Sequence, residues 1–176
     1  MKVYIVRHGQ TDSNLAGVYN YLNEDINENG IEQAKNLSEK IKDLDYELIY
    51  CSPLKRAMHT ANIINIHNKT MLFDDRLQER NPGALSGKEL TSIDRNKYWN
   101  YFSEEKFADE ESVKELFCRV HQFLDELKQK EYKSVLIVAH SGVSKAFYGY
   151  FNGVPSDGNL LKCGLKNGEL AKYELN

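Results

Sequence analysis

The sequence predicts an α/β fold of three layers, α/β/α, with a mostly parallel sheet, helices on both faces and a C-terminal antiparallel hairpin. Three observations carry this. Short β-rich runs alternate with longer segments whose apolar residues recur at helical spacing. One run, Ser134-Val135-Leu136-Ile137-Val138-Ala139, is apolar without a break after its first residue, as in a strand buried on both faces. Near the end, Asn167-Gly168 is a hairpin-type turn signal, and Ala171, Tyr173 and Leu175 alternate beyond it.

Taken in order, Val3-Tyr4-Ile5-Val6 forms the first strand and Arg7-His8-Gly9 breaks it into a turn. Residues Leu15 to Glu24 are polar and aromatic without a period and read as a loop over the crevice at the sheet edge. Asn27 caps a helix whose apolar face is Ile31, Ala34, Leu37, Ile41 and Leu44. Leu48 to Cys51 is the second strand. Ser52-Pro53 then reads as an N-cap serine with proline at the first helical position. Leu54, Ala57, Met58, Ala61 and Ile64 continue that helix, with Arg56 in its first turn.

Met71-Leu72-Phe73 is the third strand and leads into Asp74-Asp75-Arg76-Leu77-Gln78-Glu79-Arg80. Residues 81–111 hold turn signals at Asn81-Pro82-Gly83 and Ser86-Gly87 and the aromatics Tyr98, Trp99, Tyr101 and Phe102, without a regular period. From Ser112 the helical pattern returns in Val113, Leu116, Phe117, Val120, Phe123, Leu124 and Leu127. The Ser134–Ala139 strand follows and ends in His140-Ser141-Gly142, and a helix runs from Val143 to Phe151.

A chain of 176 residues with 41% hydrophobic and 28% charged residues fits one soluble domain. The net charge of −3 gives no reason to expect nucleic acid or an anionic membrane as partner. The three cysteines, Cys51, Cys118 and Cys163, include no CxxC pair, which argues against a disulfide framework or a zinc site and for a reducing compartment. No apolar run approaches a transmembrane length, and the first is too short for a signal peptide. A cytoplasmic location is the expectation; oligomeric state is not legible.

Chemistry converges at the strand ends. The first strand ends at Arg7-His8, the second leads to Arg56, the third to Glu79, and the fourth ends at His140. In a parallel sheet these ends share one edge, where such folds bind ligands. Two arginines suit the oxygens of a phosphoryl group. One neutral histidine can attack phosphorus in line, while a second, if protonated, adds stabilisation. A glutamate can protonate the departing alkoxide and later deprotonate the attacking water. Cations around the phosphate make a metal unnecessary, and the sequence has no HExxH, EF-hand or Walker pattern.

Arg7-His8-Gly9 with Thr11 and Asn14, Ser52-Pro53-Leu54-Lys55-Arg56-Ala57 with Thr60-Ala61, Arg76-Leu77-Gln78-Glu79 and His140-Ser141-Gly142-Val143 together resemble the histidine phosphatase superfamily, in its phosphoglycerate mutase-like branch. Asn29-Gly30 with Gln33-Ala34 fits too, as does Glu111-Ser112 with Arg119, although Glu110 stands where that family usually has glycine. The resemblance implies one domain over 1–176 with 81–111 as a substrate-cap insertion. It makes His8 the nucleophile that forms a phosphohistidine, Glu79 the proton donor, and Arg7, Arg56 and His140 the phosphate pocket. Asn14, Thr11, Gly9 and Ser141 are the further substrate-binding candidates. No metal and no cofactor is expected, and the partner is a small-molecule phosphate ester. Two departures bear on the substrate: Gly83-Ala84-Leu85-Ser86-Gly87 lacks the family's aromatic and acid, and Ser141 replaces a glycine after the second histidine.

Metal-independent hydrolysis of a phosphate monoester is the leading function. A phosphoglycerate mutase and a non-catalytic binder of phosphorylated ligands are the alternatives. The retention of both His8 and Glu79 argues against the binder, because binding needs only the cations. His59, His67 and His121 read as structural or exposed residues on helices; Lys55, Lys88, Arg80 and Lys145 could extend the positive field of the pocket, with solvated surface charge the preferred reading.

Overall fold

A computed structural model describes residues 1–176. Five strands, β1 (Lys2–Arg7), β2 (Leu48–Cys51), β3 (Met71–Phe73), β4 (Ser134–Ala139) and β5 (Leu170–Glu174), form one sheet in the order β3-β2-β4-β1-β5. β4 pairs in parallel with β1 and β2, and β2 in parallel with β3; only β5 runs antiparallel, against β1. All six residues of β4 are buried, as its unbroken apolar run requires of a central strand.

The helices are α1 (Asp12–Ala16), α2 (Glu28–Ile41), α3 (Lys55–Ile64), α4 (Arg95–Tyr98), α5 (Val113–Lys128) and α6 (Ser141–Asn152). Alternation along the strands sorts the core into two layers. Tyr4, Val6, Ile49, Leu136 and Val138 pack against α2 and α3. Val3, Ile5, Val135, Ile137 and Ala139 face α5 and α6. Each fully buried aliphatic side chain contributes about 1.5–3 kcal/mol relative to exposure, so the two layers fix which strand faces which helices. β1 and β4 are neighbours, yet α2 follows the first on one face and α6 follows the second on the other. That divergence opens a crevice at their carboxyl ends.

Four local expectations are corrected. The loop over the crevice begins with α1, too short for a period to be read; Thr11 caps it in a capping box with Asn14, and Gly17, at φ +69°, ends it. α3 starts at Lys55, not Pro53, because the Ser52 hydroxyl is engaged elsewhere and Leu54 stands at the cap position with no side-chain bond. The C-terminal turn at Asn167-Gly168 launches one strand rather than joining two arms of a hairpin. The open edge of β1 supplies the partner backbone that the second arm would have given. His67 lies in a turn beyond α3, not on a helix.

Segment 81–111 folds over the carboxyl ends of the strands through short 3-10 turns and α4. Tyr98 and Trp99 are buried, and Tyr98 meets Trp99 and Tyr19 edge-on with ring centroids 5.3 Å apart. Tyr101 is half-buried and Phe102 exposed.

Candidate active site

His8 follows β1 directly and is 1% exposed. Its Nδ1 lies 2.7 Å from the Gly9 carbonyl oxygen. A carbonyl only accepts, so Nδ1 carries the proton and Nε2 keeps a lone pair in the neutral ring. Burial holds the His8 pKa well below the usual histidine value, and the charges of Arg7 and Arg56 push it the same way. The ring is therefore neutral, the state a nucleophile needs.

The loop that carries His8 is tied on several sides. The Gly9 N–H donates to Thr60 Oγ1 of α3 at 3.0 Å. A side chain on Gly9 would run into the backbone of Gly30 in α2, so glycine is required by close approach. Asn167 Nδ2 donates to the His8 carbonyl at 3.1 Å and to Asn14 Oδ1 at 3.0 Å.

Arg7 donates through Nη1 to the Leu165 carbonyl at 3.0 Å, and Arg56 through Nη1 to the carbonyls of Tyr21 (3.1 Å) and Leu22 (3.3 Å). The Nε of each is buried without a partner, and neither guanidinium pairs with a carboxylate. Both forks thus retain donors for an anion.

His140, at the end of β4, is fully buried, and its ring centroid is 5.0 Å from that of His8. Its Nε2 lies 2.7 Å from Ser52 Oγ. Ser52 Oγ also accepts from the Leu54 N–H at 3.3 Å, and its own hydrogen has no other acceptor. The hydroxyl therefore donates to Nε2, which puts the ring proton on Nδ1, a buried donor with no partner. Burial, then Arg56, His8 and Arg7, hold the His140 pKa well below the ordinary value. The condition set for the second histidine, protonation, is not met: His140 is held neutral and offers an N–H, not a full charge.

Glu79 enters from the turn after β3. Its Oε1 accepts the backbone N–H of Gly142 at 2.9 Å and of Arg80 at 2.8 Å. The former is in the first turn of α6, where the helix dipole favours a carboxylate. Arg119 of α5 donates to the carbonyls of Arg76, Gln78 and Glu79 and pairs with Glu111 at 2.6 Å, so one guanidinium fixes the whole Glu79 turn. Glu110, in place of the usual glycine, accepts from the N–H groups of Phe107 and Ala108. Asp74 is held by Arg76 at 2.7 Å.

Arg7, Arg56, Glu79, Asn14 and Ser141 line one cavity of about 380 Å³; His8 and His140, 1% and 0% exposed, are not among its lining residues. Gly9 and Thr11 do not line it. Thr11 is buried as the α1 cap, its Oγ1 accepting from the Asn14 N–H and Asn20 Nδ2. Arg80 and Lys145, read as surface charge, are 5% and 4% exposed and line the cavity. Ser52 and Asn167, read from sequence as a helix cap and a turn, contact His140 and His8, and Arg95, not singled out, lines the cavity. No group of three or more His, Cys, Asp or Glu side chains is arranged to hold a metal ion, and no helix is long and apolar enough to cross a membrane.

Two buried neutral imidazoles, two unpaired arginines and a carboxylate at the switch point of a parallel sheet define an enzyme of phosphoryl chemistry. Comparison with known proteins agrees. The profile of the histidine phosphatase superfamily (branch 1) matches residues 3–176, and the chain belongs to that superfamily. A metal-independent phosphoserine phosphatase of Arabidopsis thaliana is 31% identical over 175 residues, 91% of this chain and 72% of that protein. A 2,3-bisphosphoglycerate-dependent phosphoglycerate mutase of Thermoplasma acidophilum is 28% identical over 155 residues, 86% of this chain and 76% of that protein. The crystal structure of an alpha-ribazole phosphatase from Shigella flexneri superposes with a TM-score of 0.84 at 25% identity, covering 100% of this chain and 91% of that one. The protein is an enzyme that hydrolyses phosphate esters.

Proposed function

We propose that the enzyme hydrolyses a small-molecule phosphate monoester without a metal, through a phosphohistidine on His8. The observation that carries this reading is the His8 Nδ1–Gly9 hydrogen bond, which leaves Nε2 as a lone pair in a ring kept neutral by burial. Nε2 attacks phosphorus while Arg7, Arg56 and the Nδ1–H of His140 hold the phosphoryl oxygens. The phosphorus–oxygen ester bond breaks and Glu79 gives its proton to the departing alkoxide. A water then attacks the phosphohistidine, its proton passes to Glu79, and the phosphorus–nitrogen bond breaks to restore the free ring and release phosphate.

Asn14 and Ser141 are assigned to substrate contact, and Gly9 and Thr11 to positioning His8 and Asn14. Segment 81–111 serves as the substrate cap of a single domain. The cations of the protein that face inward suit a small ester rather than a nucleic acid. Three free cysteines support a reducing, cytoplasmic setting.

The test is hydrolysis of an aryl phosphate in excess chelator, for wild type and His8→Ala side by side, with alkaline trapping of the phosphoenzyme. Turnover that survives chelation, and a trapped phosphohistidine absent from His8→Ala, support the reading. Metal-dependent turnover, or turnover retained by His8→Ala, overturns it. Transfer to phosphoglycerate that depends on a bisphosphorylated primer would instead favour the mutase.

A further inference from the structure

Two cations of the cavity have no part in the chemistry above. Lys145 lies one helical turn beyond Ser141 on α6, with its ammonium buried. Nζ donates to Ser141 Oγ at 3.0 Å and sits 4.7 Å from the centroid of Trp99. An ammonium has three donors; this one makes a single hydrogen bond and no ion pair. Arg95, on α4 of the overlying segment, lines the same cavity with a buried Nε that has no acceptor and likewise makes no ion pair.

The third cation of this wall, Arg80, is different. It donates to the carbonyls of Glu111 and Tyr98, both at 2.6 Å, stacks 3.8 Å above the Tyr98 ring and approaches Glu110. Its bonding is satisfied by the protein. Glu79 is the single acid that lines the cavity. With a phosphate dianion between Arg7 and Arg56, Glu79 is the one acid left in the cavity to set against the two cations Lys145 and Arg95, and neither makes an ion pair with it. Burying an ammonium unpaired is costly, and burial lowers the Lys145 pKa to about 8, with Arg7 and Arg95 adding to the effect and Glu79 and Cys163 opposing it.

We propose that Lys145 and Arg95 form a second anion subsite, so that the substrate is a phosphate monoester whose alcohol portion carries a further anionic group, carboxylate or phosphate. Trp99, between α4 and α6, walls the space that the connecting portion occupies. This assignment rests on the phosphatase reading and narrows it to a substrate class.

The experiment measures kcat/KM on matched pairs that differ in one anion. Phosphoserine and phosphoethanolamine differ by a carboxylate; fructose 1,6-bisphosphate and fructose 6-phosphate differ by a phosphate. An aryl phosphate serves as reference. Wild type is expected to favour the more anionic member of one pair by at least about tenfold, and the pair concerned identifies the anion. In Lys145→Met and Arg95→Met the ratio should fall toward one, and Lys145→Arg should restore it. Equal use of both members by wild type, with aryl phosphate hydrolysed, overturns the subsite and leaves the phosphatase reading standing. A preference unchanged in both methionine variants also overturns it. Failure to hydrolyse any member, the aryl phosphate included, removes both.

Discussion

Ser52 Oγ and His140 Nε2 meet at 2.7 Å, joining the ends of β2 and β4 across 88 residues of sequence. The serine that local sequence marks as a helix cap is instead the residue that sets the tautomer of a buried imidazole. Ser52→Ala should therefore lower kcat/KM roughly 10–100-fold and cost about 1–3 kcal/mol of stability, since it strands a buried ring nitrogen. Nitrogen NMR of His140 checks the cause: the proton on Nδ1 in wild type should become shared between the two ring nitrogens in the variant.

A Cβ on Gly142 would meet Glu79 Oε1 and press on Trp99, so the carboxylate has to move to admit it. Gly142→Ala should displace the carboxylate and reduce turnover of esters with poor leaving groups by about 10²-fold or more, the scale of one general acid. Activated aryl phosphates should suffer far less. Glu79→Gln should show the same split, and equal losses on both substrate types would count against Glu79 as the proton donor.

His8 and His140 both resist protonation in the fold, whereas in the unfolded chain they titrate near pH 6.5. Below that pH the unfolded state binds more protons, so stability contributed by the neutral rings is present above pH 6.5 and lost as pH falls. The slope approaches about 1.4 kcal/mol per pH unit for each histidine. Urea midpoints at pH 7.5 and 5.5 should differ clearly in wild type and less in His140→Asn. Catalysis, corrected for ionisation of the substrate, should persist below pH 6.5 if His8 attacks phosphorus as proposed, because its ring stays unprotonated there. An acid limb centred on the ordinary histidine value would contradict the burial argument.

Lys145 provides the opposite limb. Its pKa of about 8, set by burial and by Arg7 and Arg95 against Glu79 and Cys163, means that the empty cavity loses a positive charge as pH rises past that value. KM for a doubly anionic substrate should rise above pH 8 while KM for an aryl phosphate changes less, and Lys145→Arg should abolish the difference.

The fold was legible where a pattern repeats. The unbroken apolar run of Ser134–Ala139 placed β4 at the centre, and the Ser112–Leu127 period placed α5. The strand ends then delivered Arg7, His8, Arg56, Glu79 and His140 to one edge. What sequence missed depends on contacts across the chain. Lys145 looked like surface charge, yet it is the only charged residue of α6, a helix otherwise small, apolar and aromatic, and that isolation was the available signal. Arg80 borders, and Arg95 sits in, a segment without a period, where nothing local separates a buried guanidinium from a solvated one. Asn167 sat inside a turn signal that was read correctly as a turn, and its amide reached the His8 loop unseen.

That last contact ties residues near one end of the chain to residues near the other. Asn167 Nδ2 and the Gly168 N–H both hold the carbonyl of His8, at 3.1 and 3.3 Å, and β5 then zips along β1. A ribosome that has finished the helices has still not finished the loop around His8. Such long-range pairing is also entropically late in folding, and β5 is an edge strand with no buried neighbour on its far side. Activity should therefore report on whether β5 is in place: if that edge strand frays before the helices melt, the enzyme falls silent on warming while its helical signal is still intact.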